Sequence, residues 1–174
     1  MAINDEQWTI IRRLFSKTFL TSFHYAVATV NADGAPHVAP IGSLILRDNG
    51  KGFFFEEYLG ATARNLQRDK RICVLAVHTS RWLLLKSLLL GRFVSPPAIR
   101  LAGSVGEKRE AMPEELALFH RRVGRYHFLK GYDLLWSRLR YVRDVTFDTA
   151  LPVRVGAMTS GLWPEGGSLP ESAG

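Results

Sequence analysis

The sequence has little cysteine and no long hydrophobic run. Cys73 is the one cysteine among 174 residues, which excludes an internal disulfide bond. A chain of this length buries roughly 70% of its unfolded surface, so one hydrophobic core suffices. The N-terminal residues lack the basic and apolar segments of a signal peptide. We therefore expect a cytoplasmic protein with a single domain over residues 1–158.

Several catalytic and metal-binding motifs are also missing. The five histidines include no pair four residues apart, and no cysteine pair accompanies them, so the sequence predicts no metal site. The G-x-S-x-G motif of many hydrolases does not occur, and neither do the Walker loop and the G-x-G-x-x-G fingerprint of nucleotide-binding proteins. These absences disfavour a metalloenzyme, a serine hydrolase of the usual kind and a Rossmann-type dehydrogenase.

Acidic residues are scarce in one basic stretch. The net charge is +7, and residues 118–143 contain seven lysines and arginines against one acid, Asp133. A charge run of this kind usually covers the solvated face of one or two helices. No nucleic-acid-binding module accompanies it, so we do not expect nucleic acid as a partner.

Alternating apolar residues and turn signals predict a mainly β protein. A leading helix is expected over residues 4–18, a short helix over 62–69, and a further helix beginning at Pro113. The sequence Asn31-Ala32-Asp33-Gly34 supplies the turn of a β-hairpin. The predicted strands cover residues 25–30, 36–46, 53–57, 72–77, 98–105 and 142–147.

Two segments fall outside this pattern. Residues 81–93 form an apolar helical insertion that is far shorter than the ~20 residues of a membrane span. We favour burial of this helix in the fold or in a subunit interface, because a helix that is apolar all round needs cover. Contact with a membrane surface through Arg81, Lys86 and Arg92 is the less favoured alternative. Residues 159–174 are rich in Gly, Ser and Pro and are expected to form a mobile tail.

Two sequence motifs resemble the pyridoxamine 5′-phosphate oxidase-like family. They are ATVNADGAPHVAPIG at residues 28–42 and TARNLQRDKRICV at residues 62–74, with the phenylalanine run 53–55 between them. The resemblance is clear over about residues 23–78. It implies a six-stranded antiparallel split β-barrel with flanking helices, the FMN-binding split barrel. It also implies a homodimer with the flavin at the subunit interface.

The resemblance also implies a set of FMN-binding residues. The isoalloxazine ring would lie against the second and third strands, where small residues such as Gly42 let a planar ring approach the backbone. The phosphate would bind at the start of the short helix, where free backbone N–H groups favour an anion. The implied cofactor-binding residues are Ala39, Ile41, Gly42, Phe55, Glu56, Thr62 and Arg64.

The sequence departs from the family pattern at two places. The basic pair that commonly precedes the short helix is replaced by Ala61 and Thr62, which leaves Arg64 as the nearest cation. The strand position that holds a substrate-binding lysine in the true oxidases is Leu44. The first departure weakens the phosphate site, and the second disfavours pyridoxamine phosphate as the substrate.

The function that follows is an FMN-binding oxidoreductase with an unknown substrate and no assigned catalytic residue. The alternative is a non-catalytic split-barrel binding protein for haem, a deazaflavin, a membrane or a protein partner. His37 and His78 lie in or beside strands near the expected flavin, so either could contact the ring or act as a haem ligand. Cys73 lies in an apolar strand, where burial is expected to raise its pKa.

Overall fold

The computed structural model describes residues 3–57, 59–160 and 162. Helices and strands alternate along these ranges. In chain order they are α1 (Asp5–Ser22), β1 (Tyr25–Val30), β2 (Pro36–Ile41), β3 (Ile45–Leu46), β4 (Lys51–Phe55), α2 (Gly60–Arg68), β5 (Arg71–Val77), α3 (Arg81–Leu90), β6 (Ala98–Glu110), α4 (Pro113–Val123), α5 (Gly131–Trp136) and β7 (Tyr141–Pro152).

One antiparallel sheet holds these strands in the order β2-β1-β5-β6-β7-β4-β3. The strands β2 and β3 lie at its two edges, so the sheet is open between them. We call this opening the split. The architecture is mainly β with flanking helices, and the predicted split-barrel fold is confirmed.

The second predicted strand is divided in two. β2 pairs with β1, whereas β3 pairs with β4 at the opposite edge of the sheet. The break begins at Gly42, where the chain runs so close to α1 that an added Cβ would lie 3.0 Å from the carbonyl oxygen of Phe23. The described residues therefore hold seven strands instead of six. The continuous apolar pattern on both sides of Gly42 hides the crossing from one edge to the other.

The core lies between the inner face of the sheet and α1. Burial alternates along β1, as expected for a strand with one face toward the core. The side chains of Ile11 and Phe15 bring α1 onto this face. Asn4 caps the helix, because its side chain accepts a hydrogen bond of 2.8 Å from the backbone N–H of Gln7. The helix continues to Ser22, one turn beyond its predicted end.

The helices α4 and α5 cover one side of the split. α4 begins at Pro113 as predicted, and its Phe119 ring packs 5.3 Å from the ring of Phe55 on β4. α5 is a short helix that the sequence analysis missed. Trp136 of α5 lies 6.2 Å from Phe119, measured between ring centroids. Both helices are therefore part of the enclosure around the ends of β2 and β4.

The basic stretch is only partly a solvated face. Arg122 places its guanidinium 3.5 Å from the centroid of the Phe19 ring and bonds to the Tyr25 hydroxyl at 2.6 Å. Arg143 is 1% exposed near the start of β7. These two arginines have structural contacts, whereas Arg121 and Arg138 are exposed as predicted.

The apolar insertion forms a helix, but this chain does not bury it. Leu83 and Ser87 are the buried residues of α3, and its remaining residues are exposed. The expected burial within the fold is therefore wrong for the single chain. The core is instead covered by residues of α1, and no residue of α3 belongs to it among the described residues.

The C-terminal segment lies largely outside the described residues. The predicted tail covers 159–174, of which the structure describes 159, 160 and 162. Among the helices of the described ranges, none is both long and apolar enough to cross a membrane.

Candidate functional site

The split is bridged by a side chain in place of backbone pairing. The Ser43 hydroxyl accepts a hydrogen bond from the backbone N–H of Phe55 and donates one to the carbonyl oxygen of the same residue, each at 3.1 Å. A hydroxyl can make both bonds because it is at once a donor and an acceptor. The end of β2 is thereby held next to the end of β4, although the two strands are not sheet neighbours.

A cavity of about 210 Å³ lies at this junction, and we call it the split cavity. One wall comes from the end of β2, and another comes from the end of β4 and from Leu59, which directly precedes α2. The cover consists of aromatic and aliphatic side chains from the helices. The lining residues are Phe19, Phe23, Pro40, Ile41, Gly42, Ser43, Phe55, Glu57, Leu59, Phe119, Val123, Leu135, Trp136 and Leu139.

Three of the predicted cofactor-binding residues line the split cavity. Ile41 and Gly42 lie on the β2 side, and Phe55 lies on the β4 side. Ala39 is two residues back along β2, on the inner face, where it is half-buried against the core. The fold therefore brings together residues from two strands that lie at distant positions in the sheet order.

Glu56 is turned away to a different partner. It forms a buried ion pair with Arg143, and Lys108 lies 3.5 Å from its other carboxylate oxygen. Its carboxylate therefore serves the contact between β4 and β7. The sequence could not show this, because Arg143 lies 87 residues further along the chain.

The start of α2 is open. Leu59 at the N-cap position provides no side-chain hydrogen bond, and the first turn contains no acidic residue. The N–H groups of Gly60, Ala61 and Thr62 are therefore not used by an N-cap side chain or within the helix. Arg64 is exposed and, across the described ranges, makes no side-chain hydrogen bond or ion pair.

Polar contacts anchor α2 to β1 and β2. The Thr62 hydroxyl is buried and lies 3.2 Å from Nε2 of His37. Asn65 donates one hydrogen bond of 3.1 Å to the Thr29 hydroxyl and another of 2.9 Å to the side-chain oxygen of Asn31. The N-terminus of α2 is consequently fixed relative to the edge strand β2. Of the two histidines expected near the site, His37 takes part in this anchor.

Glu57 is a site residue that the sequence analysis missed. One of its carboxylate oxygens, Oε1, accepts hydrogen bonds from the backbone N–H groups of Arg140 at 2.6 Å and Tyr141 at 2.7 Å. The other, Oε2, is buried and has no hydrogen-bond partner among the described residues. A buried acceptor without a donor is costly, so an uncompensated oxygen beside a cavity indicates a ligand group. Its position directly after a buried strand is the only sequence signal.

His78 and Cys73 lie elsewhere in the fold. His78 lines a second cavity beneath α3, where burial, together with the charge of Lys17, lowers its pKa. Cys73 is half-buried on the outer face of the sheet, and burial raises its pKa as expected. Leu44, at the family's lysine position, is 1% exposed. Within the described ranges, no group of three or more His, Cys, Asp or Glu side chains could hold a metal ion.

The sequence itself identifies the family. A model of the pyridoxamine 5′-phosphate oxidase family matches residues 16–143, from the second half of α1 to the start of β7. The chain belongs to the pyridoxamine 5′-phosphate oxidase-like family. The matched range contains every residue of the split cavity and the start of α2, which confirms the resemblance predicted from the two motifs. No curated protein matches this chain in sequence.

Solved structures share the fold at low sequence identity. An FMN-binding protein from Syntrophomonas wolfei superposes with a TM-score of 0.56 and 15% identity, over 86% of this chain and 93% of that protein. HupZ from Group A Streptococcus gives a TM-score of 0.55 and 17% identity, over 84% of this chain and 96% of HupZ. At these identities the likeness is one of fold.

Proposed function

We propose that this protein binds FMN at the split cavity and acts as a flavin-dependent oxidoreductase. The observation that carries the proposal is the junction itself. Ile41 of β2 and the following residue Gly42 meet Phe55 of β4 in an apolar cavity that is also lined by Leu59, the residue before α2. FMN requires an apolar cleft for its ring and, next to this cleft, an anion site for its phosphate. The start of a helix provides such an anion site.

The unpartnered oxygen of Glu57 supports a flavin ring in the cavity. The pyrimidine end of isoalloxazine carries an N–H donor, and Glu57 Oε2 is a buried acceptor that has no donor among the described residues. Glu57 belongs to the cavity lining together with the apolar residues. Donor and acceptor therefore match in the region where the ring would lie.

The phosphate end fits in a modified form. The family's basic pair is absent at Ala61 and Thr62, and the Thr62 hydroxyl is already bonded to His37. The backbone N–H groups at the start of α2 remain available for an anion, and Arg64 supplies a cation one turn along. We assign phosphate binding to these N–H groups, including that of Thr62, and to Arg64.

The size of the split cavity favours a homodimeric site. About 210 Å³ is less than the roughly 300 Å³ at which ligand pockets usually begin, so one chain does not enclose the ring. The outer face of the sheet offers a surface for a second copy, since small, half-buried residues such as Ala28, Cys73 and Ala102 adjoin one another there. Small side chains permit close approach of two flat surfaces.

The roles of the protein follow from this arrangement. A bound flavin would supply reversible redox chemistry. The aromatic cover of Phe119 and Trp136 would exclude water from the ring, and Gly42 would let the ring approach the strand. Leu44 is buried, so the substrate is expected to differ from pyridoxamine phosphate.

Calorimetric titration with FMN and with riboflavin tests the proposal. Saturable binding of both, with FMN the tighter ligand, would support a ring site and a separate phosphate site. Absence of binding to either ligand would overturn it. Size-exclusion chromatography with light scattering gives the mass of the assembly. A monomer that binds FMN with full affinity would contradict a flavin site shared between two chains.

One observation favours a second candidate, a binding protein without a redox role. The hydroxyl of Thr62 is engaged by His37, and no basic pair stands at the start of α2. Such a site could serve a haem, a deazaflavin or a protein partner instead. Titration with haem separates this candidate, because a Soret band without any affinity for FMN would favour it.

A further inference from the structure

The helix α3 presents an apolar surface to solvent. Its two buried residues, Leu83 and Ser87, are four positions apart and form one narrow stripe. Six apolar residues of the helix are at least 49% exposed, and we call them the α3 surface: Trp82, Leu84, Leu85, Leu88, Leu89 and Leu90. The polarity is thus reversed relative to an ordinary surface helix.

The α3 surface is held in place by specific contacts. Ser80 caps the helix by accepting a hydrogen bond from the backbone N–H of Leu83, and the Ser87 hydroxyl bonds to the carbonyl oxygen of Leu83 at 2.7 Å. After the helix, the N–H of Phe93 bonds to the carbonyl oxygen of Met158 at 2.9 Å. The helix is thereby tied to the segment that follows β7, with its apolar side outward.

The apolar area extends beyond α3. A cavity of about 350 Å³ separates the helix from the ends of β5 and β7, and its lining is mostly apolar. Val77 and Val155 border this cavity and are 40% and 45% exposed. The exposed patch is therefore larger than the helix, and patches of this kind mark interaction sites.

The charge around the α3 surface has one sign. The sequence contains no acid over residues 70–106 and none over residues 149–160, the two segments that flank the helix in the fold. The exposed cations on or directly after the helix are Arg81, Lys86 and Arg92, and the exposed Arg154 stands between Val153 and Val155, which line the cavity beneath it. A partner that covers this surface must therefore accept positive charge.

This charge argues against a second copy as the occupant. A two-fold interface through α3 would place Arg81, Lys86 and Arg92 of one chain near the same residues of the other. Like charges at an interface are unfavourable, and no acid in the flanking segments compensates them. An anionic surface, in contrast, would satisfy both the apolar residues and the cations.

We propose that the α3 surface binds the interface of an anionic lipid bilayer. The helix has ten residues, about half the length of a span, so it would lie in the plane of the membrane. The leucines would enter the acyl boundary, and Trp82 would lie at the headgroup level that suits its ring. Lys86 and the flanking arginines would reach the lipid phosphates.

Co-sedimentation with vesicles tests this proposal. Vesicles of phosphatidylcholine mixed with phosphatidylglycerol are expected to bind the protein, whereas pure phosphatidylcholine is expected to bind it at least tenfold more weakly. Added salt should reduce the binding, because it screens the charges. Quenching of Trp fluorescence by brominated lipid, lost in Trp82→Phe, would show that α3 is the inserted segment. Equal binding to neutral vesicles, or none to either, would overturn the proposal.

Matched variants separate α3 from other surface residues. The double variant Leu88→Ser/Leu89→Ser is expected to lower vesicle affinity by about tenfold or more, since each leucine loses its transfer into lipid. The control Leu20→Ser/Leu129→Ser removes two leucines that are exposed elsewhere and should bind as the wild type does. Circular dichroism verifies that both variants fold. Equal loss in both pairs would contradict a site on α3.

Charge variants and the oligomeric state complete the test. Lys86→Glu/Arg92→Glu should abolish vesicle binding at low salt. The control Lys130→Glu/Arg138→Glu changes the net charge by the same amount and should keep most of the vesicle binding. The proposal is wrong if Leu88→Ser/Leu89→Ser dissociates an oligomer and the wild type does not bind vesicles. A second copy of the chain would then cover α3. FMN affinity is not involved, so this result is independent of the proposed function.

Discussion

Arg143 donates a hydrogen bond from Nε to a carboxylate oxygen of Glu56, and the two side chains are 1% and 2% exposed. A second nitrogen of the same guanidinium bonds to the carbonyl oxygen of Gly106 at 3.0 Å. The pair joins β4 to β7 beside the split. It also means that the Glu56 carboxylate is occupied by the protein itself.

Removal of one partner from this pair is expected to destabilise the protein. Arg143→Met leaves the Glu56 carboxylate buried without its main counter-charge and should lower the free energy of unfolding by about 3–5 kcal/mol. Chemical denaturation measures this change. The double variant Glu56→Leu/Arg143→Met should regain much of the loss, because it leaves no buried charge. If the double variant loses as much free energy of unfolding as Arg143→Met and Glu56→Leu lose together, this explanation is contradicted.

Arg64 is expected to act on the phosphate of FMN. Arg64→Ala should weaken FMN binding by roughly 1.5 to 3 kcal/mol, the range of a charge-assisted hydrogen bond. Riboflavin lacks the phosphate, so its affinity should not change. Arg13→Ala, an exposed arginine on α1, serves as the control. Unchanged FMN affinity in Arg64→Ala would remove Arg64 from the site.

Glu57 is expected to act on the flavin ring. Glu57→Gln replaces the carboxylate by an amide. When the amide nitrogen occupies the Oε2 position, the side chain presents an N–H donor to the N–H donor of the ring, and the two groups cannot form a hydrogen bond. Binding of FMN and of riboflavin should therefore fall together, by about tenfold. Glu110→Gln removes an exposed carboxylate that pairs with Arg140 and serves as the control. Loss of FMN affinity with full riboflavin affinity would place Glu57 at the phosphate instead.

Glu115 makes stability depend on pH. Burial alone would raise the pKa of Glu115, but hydrogen bonds from Arg109 and from the Met112 N–H outweigh it, and the pKa is lowered. A lowered pKa gives stability that is present above the unfolded value, about 4.3, and is lost as pH falls through the folded value. The stability advantage of the wild type over Glu115→Gln should therefore shrink below about pH 4.

Denaturation of both proteins at neutral and acidic pH measures this effect. At neutral pH, Glu115→Gln should cost about 1.5 to 3 kcal/mol, because Glu115 accepts charge-assisted hydrogen bonds from Arg47 and Arg109. Glu114→Gln alters the exposed neighbour and should have little effect. A constant difference between wild type and Glu115→Gln at all pH values would contradict the lowered pKa.

Local patterns predicted the helices and strands well. The leading helix, the hairpin turn and the Pro113 helix start depend on neighbouring residues, and all three occur where the sequence indicates. The strand break at Gly42 escaped prediction, because it depends on the close approach of Phe23, nineteen residues earlier. Such contacts between distant segments leave no trace in hydrophobic periodicity.

Three of the predicted cofactor-binding residues line the split cavity, and their role in binding stays a prediction. Ile41, Gly42 and Phe55 meet at one cavity, although no pattern in the sequence reveals that β2 and β4 approach each other. Glu56 and Glu57 are adjacent in the sequence, yet one pairs with Arg143 and the other lines the cavity. Both glutamates follow β4 in irregular structure, so no strand pattern assigns them to a face, and only the three-dimensional fold decides which one turns to the site.

An absorption spectrum of the purified protein, followed by titration with FMN, tests the central claim most directly. The account predicts bands near ~450 and ~370 nm in the protein as isolated, or their saturable perturbation when FMN is added to the colourless protein. A colourless protein that leaves the spectrum of added FMN unchanged would contradict flavin binding at the split cavity.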